Sequence, residues 1–300
     1  MIYIAFSPCY HYPLPEEHRF PMDKYIKIPE QLLKEGTYTK RNFFEPKLTG
    51  EDFISLVHSN EYIAKLKSNN ITKQEERRLG FPLNPELIKR EALICSGNSQ
   101  AALLAMENGV SFNAAGGTHH AHSDFGEGYC MFNDIAVSSQ YLLNNREVNQ
   151  ILVIDLDVHQ GNGTANIFSN ESRVFTFSMH SETSFPLRKA KSDLDIPLAP
   201  LTDDNEYLNL LGDQLPKLIE NVKPDFIFYQ CGVDILTNDQ LGHLNVTKKG
   251  CADRDRIVLE SARKYGIPLT ASMGGGYARD IDEIVDAHCN TYRIAKEIFS

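Results

Sequence analysis

The stretch ILVIDLDVHQGNGTANIF, residues 151–168, decides the fold and raises the question of function. Its first four residues are apolar, as in a strand buried in a parallel sheet, and a helix is predicted near Thr164 after a glycine-containing turn. Asp155, Asp157 and His159 follow at every second position, so their side chains face one side of an extended chain. A strand with a buried beginning therefore ends in two carboxylates and an imidazole.

Two interpretations of these three residues stay open on this stretch alone. Buried carboxylates without a partner are costly, and one imidazole nitrogen with carboxylate oxygens suits a divalent metal such as zinc, provided that another loop supplies a third ligand. A structural network, in which the aspartates cap the following helix and His159 bonds a neighbour, fits the same pattern. The residues in the other predicted loops are needed to distinguish these two interpretations.

Composition indicates a folded chain in a reducing compartment. Apolar residues make up 42% and charged residues 23% of the 300 positions, as in an ordinary globular protein. The six cysteines are scattered without a C-x-x-C pair, so neither a disulfide framework nor a structural zinc site is indicated, and we expect a cytoplasmic protein. We also expect no secretory leader and no membrane segment, since no apolar run approaches ~18 residues.

The charge balance narrows the choice of partners. Forty acidic and 30 basic side chains give a formal net charge of -10. Such a chain is not expected to bind nucleic acid directly or to bind an anionic membrane. An acidic surface suits a cationic substrate but does not by itself indicate one.

Strand-like and helix-like segments alternate from about residue 85 to the end, as in a parallel sheet with crossover helices. We predict one α/β domain over residues 1–300, with three αβα layers around a central, mainly parallel sheet. Strands are predicted at 110–114, 151–156, 174–178, 226–230 and 268–272. Helices are predicted at 85–109, from 134, near 164, from 205, at 253–264 and from 280.

The first 80 residues are less regular. We predict a helix at 24–34 and a second helix opened by Thr49, whose hydroxyl forms a capping box with Asp52. The polar segment at 69–81 is predicted to be a mobile surface loop.

Polar residues follow all five predicted strands. Ligands of open α/β sheets bind beyond the carboxyl ends of the strands, where loops converge. The residues in strand order are His119, His120 and His122; Asp157 and His159; His180 and Ser181; Cys231, Gly232 and Asp234; and Tyr277. This convergence favours a metal site over a structural network.

With these motifs, the chain resembles the zinc-dependent histone deacetylase superfamily, which has an arginase-like α/β fold. The matching segments have the order and spacing of that family: GGTHHAHSDFGEGYCMFND (116–134), IDLDVHQGNGT (154–164), FSMH (177–180), CGVDILTNDQLGHLN (231–245) and GGGY (274–277). The segment PEEHRFPMDKY (15–25) and the short length are most similar to the class IV branch and its bacterial relatives. The resemblance implies a hydrolase that removes acetyl or longer acyl groups from the ε-amine of lysine in proteins.

The resemblance also implies a role for each motif residue. One zinc ion is expected on Asp157, His159 and Asp234, with a position left for water and substrate. His120 is expected to be the general base and later acid, His119 to orient groups and stabilise charge, and Tyr277 to bind the developing oxyanion.

The two histidines have expected partners. These are Asp155 for His119 and Asn162 for His120. Some branches of the family carry aspartate at the second position. Asn162 adds no negative charge there, so it should raise the basicity of His120 less than a carboxylate would.

A narrow passage for the lysine stem is implied next to these residues. Its expected walls are Tyr129 and Phe185, with Gly128 and Gly275 beside them, although Phe185 also suits a plain core aromatic. Arg19 matches an arginine of the internal channel through which the acid product leaves, and a surface ion pair would also explain it. A potassium ion is implied near Asp155, Asp157, His159, Ser178 and the backbone carbonyl of Met179.

Three other functions are alternatives to a lysine deacylase. A ureohydrolase on the same fold would need two manganese ions and further aspartates, which DVHQGN and DILTNDQLG lack. A non-catalytic acyl-lysine binder would not need His120, Tyr277 and the metal ligands, so the presence of all of them speaks against this function. A small acylated amine, such as an acetylated polyamine, stays open as the substrate.

Overall fold

The computed structural model describes residues 1–50 and 52–300, which form one sheet of eight strands with helices packed on it. Every pair of neighbouring strands is parallel. In sheet order the strands are Phe43–Phe44 (β2), Tyr3–Ala5 (β1), Val110–Asn113 (β3), Leu269–Ser272 (β8), Phe226–Gln230 (β7), Ile151–Asp155 (β4), Val174–Ser181 (β5) and Leu194–Leu198 (β6). The predicted α/β fold is confirmed, and the sheet is parallel throughout rather than mainly parallel.

Nine α-helices lie within the described residues. They are Lys24–Lys34 (α1), Asn60–Lys67 (α2), Lys73–Leu79 (α3), Pro85–Asn108 (α4), Asp134–Asn144 (α5), Asn162–Ile167 (α6), Asp204–Val222 (α7), Lys248–Tyr265 (α8) and Ile281–Phe299 (α9). Single 3-10 turns occur at Pro8–Tyr10, Lys40–Asn42 and Ile54–Leu56. None of the helices described is both long and apolar enough to cross a membrane.

The central strands are buried on both faces, which explains their continuous apolar sequences. In β4, Ile151 and Val153 belong to one hydrophobic cluster, whereas Leu152 and Ile154 belong to the other. All four side chains are at most 2% exposed, and each such burial stabilises the fold by about 1.5–3 kcal/mol. Helices α4 and α5 pack together on one side, while α7, α8, α9 and α1 pack in series on the other.

The long helix α4 begins and ends as its sequence predicts. Asn84 is the N-cap, and its side chain accepts a hydrogen bond of 2.9 Å from the backbone N–H of Leu87, with Pro85 at the first helical position. Gly109 ends the helix with a positive φ of 88°. Caps of this kind make local sequence a good guide to helix ends.

Two predictions in the first 80 residues are wrong. Among the described residues no α-helix begins at Thr49: its N–H bonds to Ser96, only a 3-10 turn follows at Ile54–Leu56, and the next α-helix starts after the N-cap Ser59. Glu51, inside the predicted capping box, lies outside the described residues. The segment predicted as a mobile loop at 69–81 contains α3, because Thr72 and Glu75 form a capping box and Gly80 ends the helix.

Three strands were not predicted. β1 and β2 are only three and two residues long, too short for a hydrophobic pattern to stand out. β6 contains Pro197, which edge strands tolerate but central strands do not.

Candidate active site

The expected metal ligands, the paired histidines, Tyr277 and Phe185 lie beyond the carboxyl ends of five adjacent strands, β3, β8, β7, β4 and β5. Parallel neighbours bring these ends to the same edge of the sheet. The chain segments after these strands therefore converge there, although they are separated by up to about 160 residues in the sequence.

Asp157, His159 and Asp234 form a compact group of potential metal ligands. One ligand atom from each lies within 4.8 Å of the others, and all three residues are buried. His159 Nδ1 lies 3.1 Å from Asp157 Oδ1 and 3.1 Å from Asp234 Oδ2. It is the one such group found among the described residues.

The electrostatics of this group favour a bound cation. Burial raises the pKa of Asp234 to about 7, and the nearby charge of Asp157 adds to this shift. Two desolvated carboxylates so close together are unfavourable unless a positive charge lies between them. The donor set of one imidazole and two carboxylates fits zinc.

Backbone N–H groups hold both carboxylates in place. Asp157 Oδ2 accepts a hydrogen bond of 2.8 Å from the Gly275 N–H, and Asp234 Oδ1 accepts one of 3.0 Å from the Val158 N–H. A Cβ atom on Gly275 would collide with the Asp234 carboxylate. Glycine is therefore required at position 275 to let the two loops meet.

His119 and His120 lie beside this group with their ring centroids 4.0 Å apart. His119 Nδ1 donates to Asp155 Oδ2 at 2.7 Å, and His120 Nδ1 lies 2.7 Å from Asn162 Oδ1. The structure thus brings together both pairs expected from the sequence.

The two histidines have opposite charge preferences. Burial acts to lower the pKa of His119, but the charges of Asp155 and Asp157 outweigh it and raise that pKa to about 9. Burial lowers the pKa of His120 well below its usual value, and the charges of His119 and His159 lower it further. The surroundings therefore favour the charged form of His119 and the neutral form of His120.

A comparison with protein-family models matches nearly the whole chain. Residues 18–292 match the model of the histone deacetylase domain. The chain belongs to the histone deacetylase family. The predicted family is thereby confirmed, and the protein is a deacetylase-type hydrolase of amides. The family is zinc-dependent, and the buried group of Asp157, His159 and Asp234 is present in this deacetylase.

Similar proteins cover nearly all of this deacetylase. It is 39% identical over 296 residues to an uncharacterized protein of Picosynechococcus sp., covering 99% of each chain. It is 28% identical over 277 residues to histone deacetylase 2 of Arabidopsis thaliana, covering 89% of this chain and 72% of that one. A crystal structure of an HDAC homologue complexed with SAHA shares its fold, with a TM-score of 0.84 and 24% identity, covering 99% of this chain and 84% of that one.

A narrow pocket leads to the metal-ligand group of the deacetylase. Its lining includes Gly128, Tyr129, His120 and Tyr277, and its cavity volume is only about 30 Å³. Phe185, 38% exposed, packs edge-on against His120 with the ring centroids 4.8 Å apart. A wider cavity of about 410 Å³ lies against α4, but no histidine or aspartate is among its described lining residues.

Helix α3 supports the outer wall of this pocket. The Gly128 N–H donates to the Arg78 carbonyl at 3.1 Å, and the Tyr129 N–H donates to the Leu79 carbonyl at 2.9 Å. The Tyr129 ring then packs against Phe20, with 5.3 Å between the centroids. The segment that looked like a mobile loop in the sequence is therefore part of the pocket wall.

Arg19 is not among the residues that line the narrow pocket. Its side chain is exposed and lines a surface pocket with Asp239 and Arg279, outside the internal passage. The extended segment before α1 buries Phe20 and leaves its neighbour Arg19 in solvent. A buried arginine, Arg90 on α4, is among the residues that line the narrow pocket.

The residues expected around a potassium ion lie on two adjacent strands. Asp155 and Ser178 are directly paired between β4 and β5, and Met179 is buried. Asp155 Oδ1 accepts a hydrogen bond from the Asp157 N–H, and the Ser178 hydroxyl bonds His180 Nδ1 at 2.9 Å.

Two further residues of the site were missed in the sequence. Lys24, fully buried, donates to the Gly274 carbonyl at 2.8 Å and so holds the segment that carries Tyr277. Asp239 accepts hydrogen bonds from the backbone N–H groups of Tyr277 and Leu241. Both lie in segments that carry the family resemblance: Lys24 in residues 15–25, and Asp239 as a second acidic residue in the motif that contains Asp234.

Proposed function

We propose that this protein is a zinc-dependent lysine deacylase that acts on short acyl groups, acetyl first, in proteins. The observation that carries the proposal is the narrow, aromatic-walled pocket that ends at Asp157, His159 and Asp234. A lysine stem is an unbranched chain of four carbons, which suits such a passage. The pocket is tightly lined, and we therefore propose acetyl as the first acyl group to test.

Asp157, His159 and Asp234 would hold the zinc ion. When bound, zinc supplies Lewis-acid chemistry that polarises the amide carbonyl and acidifies a water molecule. The hydrogen bonds from Gly275 and Val158 fix the two carboxylates, so the ligands need little rearrangement when the ion binds.

His120 is proposed as the general base that takes a proton from the attacking water and later gives it to the leaving amine. It is neutral at pH 7, because burial keeps its pKa low. His119, held by Asp155, is a cation and is proposed to stabilise negative charge as it develops in the substrate.

Tyr277 is proposed to donate a hydrogen bond to the oxyanion. Burial and the charges of Asp234 and Asp157 hold the pKa of its hydroxyl well above the usual value, so the group keeps its proton. Its backbone N–H is fixed by Asp239, which positions the residue at the pocket.

Tyr129 and Phe185 are proposed as the walls that contact the lysine stem. Gly128 lies between them and His120: a Cβ atom there would come within 2.8 Å of the His120 ring and 3.2 Å of the Phe185 ring. The absence of a side chain at Gly128 therefore keeps the passage open. Arg90 is proposed to face the acid product at the inner end.

Further parts of the proposal rest on smaller observations. Asp155, Asp157, His159, Ser178 and Met179 are proposed to surround a potassium ion, because buried carboxylate, hydroxyl and carbonyl oxygens suit a hard cation. The similarity of residues 15–25 supports a place in class IV. Six free cysteines support a cytoplasmic location.

A panel of substrates tests the proposed function. Zinc-loaded protein is assayed with lysine peptides that carry acetyl, butanoyl, octanoyl and dodecanoyl groups, and with acetylated polyamines. We expect hydrolysis to be fastest for acetyl-lysine and to fall with chain length. Faster hydrolysis of the polyamines would reassign the substrate, and no hydrolysis of any compound would contradict the proposal.

A further inference from the structure

Asn162 lies between the base histidine and a third side chain, Glu127. Its Oδ1 atom is 2.7 Å from His120 Nδ1, and its Nδ2 atom donates to Glu127 Oε1 at 2.8 Å. Asn162 is 5% exposed, and the Glu127 side chain is 15% exposed. The three groups form a chain that runs outward from the pocket.

Glu127 has its own neighbours, which keep it ionised. His122 Nε2 lies 3.4 Å from its carboxylate, and the charge of Arg78 acts on it as well. Burial acts to raise the pKa of Glu127, but the hydrogen bonds from His122 and Asn162 outweigh it and lower that pKa. At neutral pH, Glu127 is therefore a carboxylate.

The orientation of the Asn162 amide follows from this charge. An ionised carboxylate only accepts hydrogen bonds, so Asn162 must turn its NH₂ group toward Glu127. Its carbonyl oxygen then faces His120 Nδ1, which must carry a hydrogen atom to form a bond. In a neutral imidazole the second nitrogen, Nε2, is then left with a free lone pair.

As the proposed base, His120 has to start the reaction as a neutral imidazole, so its role depends on this choice of tautomer. Either nitrogen of a neutral imidazole can carry the hydrogen. Only the form with the hydrogen on Nδ1 can accept a proton at Nε2.

We infer that Glu127 is a positioning residue that fixes the tautomer of His120 through the Asn162 amide. His122 Nε2 also lies 3.1 Å from Asn162 Nδ2, but His122 Nδ1 accepts a hydrogen bond from Asn166, so Nε2 carries a hydrogen atom and cannot accept from the amide. Without the carboxylate at position 127, the amide can therefore turn over and offer its NH₂ group to His120 Nδ1. That orientation favours hydrogen on Nε2 and removes the proton acceptor. This inference rests on the proposed function, in which His120 takes the proton of the attacking water.

The first test compares Glu127→Gln with the exposed control Glu107→Gln. Nitrogen-15 NMR of labelled histidine, with the His120 signals assigned by their loss in His120→Asn, reports which ring nitrogen is protonated. We expect the Nδ1–H form in the wild type and the control, and an added Nε2–H form in Glu127→Gln. The kcat for acetyl-lysine should fall at least about tenfold in that variant, with KM and zinc content unchanged.

A reciprocal exchange separates this role from a merely structural one. The double variant Glu127→Gln with Asn162→Asp has a carboxylate at position 162, which can only accept hydrogen bonds. It can accept one from His120 Nδ1 and one from the NH₂ group of the glutamine at position 127. The Nδ1–H form and most of the turnover should therefore return. Asn162→Asp alone places the new carboxylate within hydrogen-bond distance of Glu127. This variant should not behave as the wild type, and the pH profile of its kcat should shift.

Two outcomes would overturn the inference. One is a Glu127→Gln variant that keeps the wild-type tautomer and turns over within twofold of the wild-type rate. The other is a loss that the double variant does not repair. The NMR measurement needs no substrate, so a wild-type protein without hydrolytic activity would refute the proposed function and still leave the tautomer of His120 testable.

Discussion

At the scale of single residues, the surroundings favour the charged form of His119 and the neutral form of its neighbour His120. The difference comes from their partners: His119 bonds the carboxylate of Asp155, whereas His120 bonds the uncharged amide of Asn162. The same burial acts on both rings, and only the carboxylate partners of His119 overcome it. His120 therefore fits the proposed role of proton acceptor better than His119 does.

Tyr277→Phe tests the proposed oxyanion donor. Removal of one hydroxyl leaves the ring, the loop and the metal ligands in place, so zinc content and KM should stay near the wild-type values. The kcat should fall about 10²–10³-fold, as for loss of one oxyanion donor. Steady-state kinetics and metal analysis measure this, with Tyr265→Phe at the end of α8 as the control. Undiminished turnover in Tyr277→Phe would remove the residue from the mechanism.

At the scale of elements, helix α8 ties together the ends of two strands that carry metal ligands. Arg254, fully buried, donates to the carbonyl oxygens of Leu156 and Gly232 and pairs with Asp255 at 2.8 Å. Asp255 in turn accepts hydrogen bonds from the hydroxyls of Tyr229 and Thr291. This network fixes the segments that lead to Asp157 and Asp234.

Arg254→Met should disrupt both stability and metal binding. The substitution leaves the buried Asp255 without its cation, and loss of one partner of a buried ion pair costs about 3–5 kcal/mol. Chemical unfolding with and without zinc measures this loss, and Arg256→Met on the exposed side of α8 is the matched control. Equal stability of the two variants would show that the buried pair does not support the site.

The sequence predicts those elements whose signals lie within their own segment, and it does not predict roles that depend on contacts between distant segments. Strands β3, β4, β5, β7 and β8 and helix α4 follow from apolar runs and caps within each segment. The pairs His119–Asp155 and His120–Asn162 were foreseen because the motifs of a known family contain them. Arg254, Lys24 and Glu127 were not foreseen, because their roles come from contacts between segments far apart in sequence. Helix α3 was not predicted, because its charged sequence has no apolar period and only the capping box of Thr72 and Glu75 marks its start.

At the scale of the whole molecule, the parallel sheet gathers the polar chain segments at one edge and buries several histidines. Among these, His58 lies outside the metal site and accepts a hydrogen bond of 2.9 Å from the N–H of Asn133, the residue that caps α5. Burial lowers the pKa of His58 to about 4. Its charge state therefore couples the stability of the fold to pH.

The fold should lose stability in mild acid through His58. Below pH 6.5 the unfolded chain protonates this residue while the folded protein does not, so the free energy of unfolding falls as the pH drops from 6.5 toward 4. Between pH 7 and pH 5 the expected loss from this residue is about 2 kcal/mol. Unfolding in denaturant measures it as the difference between wild type and His58→Gln. The same pH dependence in both proteins would contradict the shifted pKa.

The central claim is that one zinc ion, bound by Asp157, His159 and Asp234, supports amide hydrolysis by this deacetylase. Titration of metal-free protein with zinc, while acetate release from an acetyl-lysine peptide is followed, tests it most directly. Activity should be absent without metal and should rise to a plateau at one zinc ion per chain, and Asp234→Asn should abolish the rise. Activity that needs two ions per chain, or that does not depend on metal, would contradict the claim.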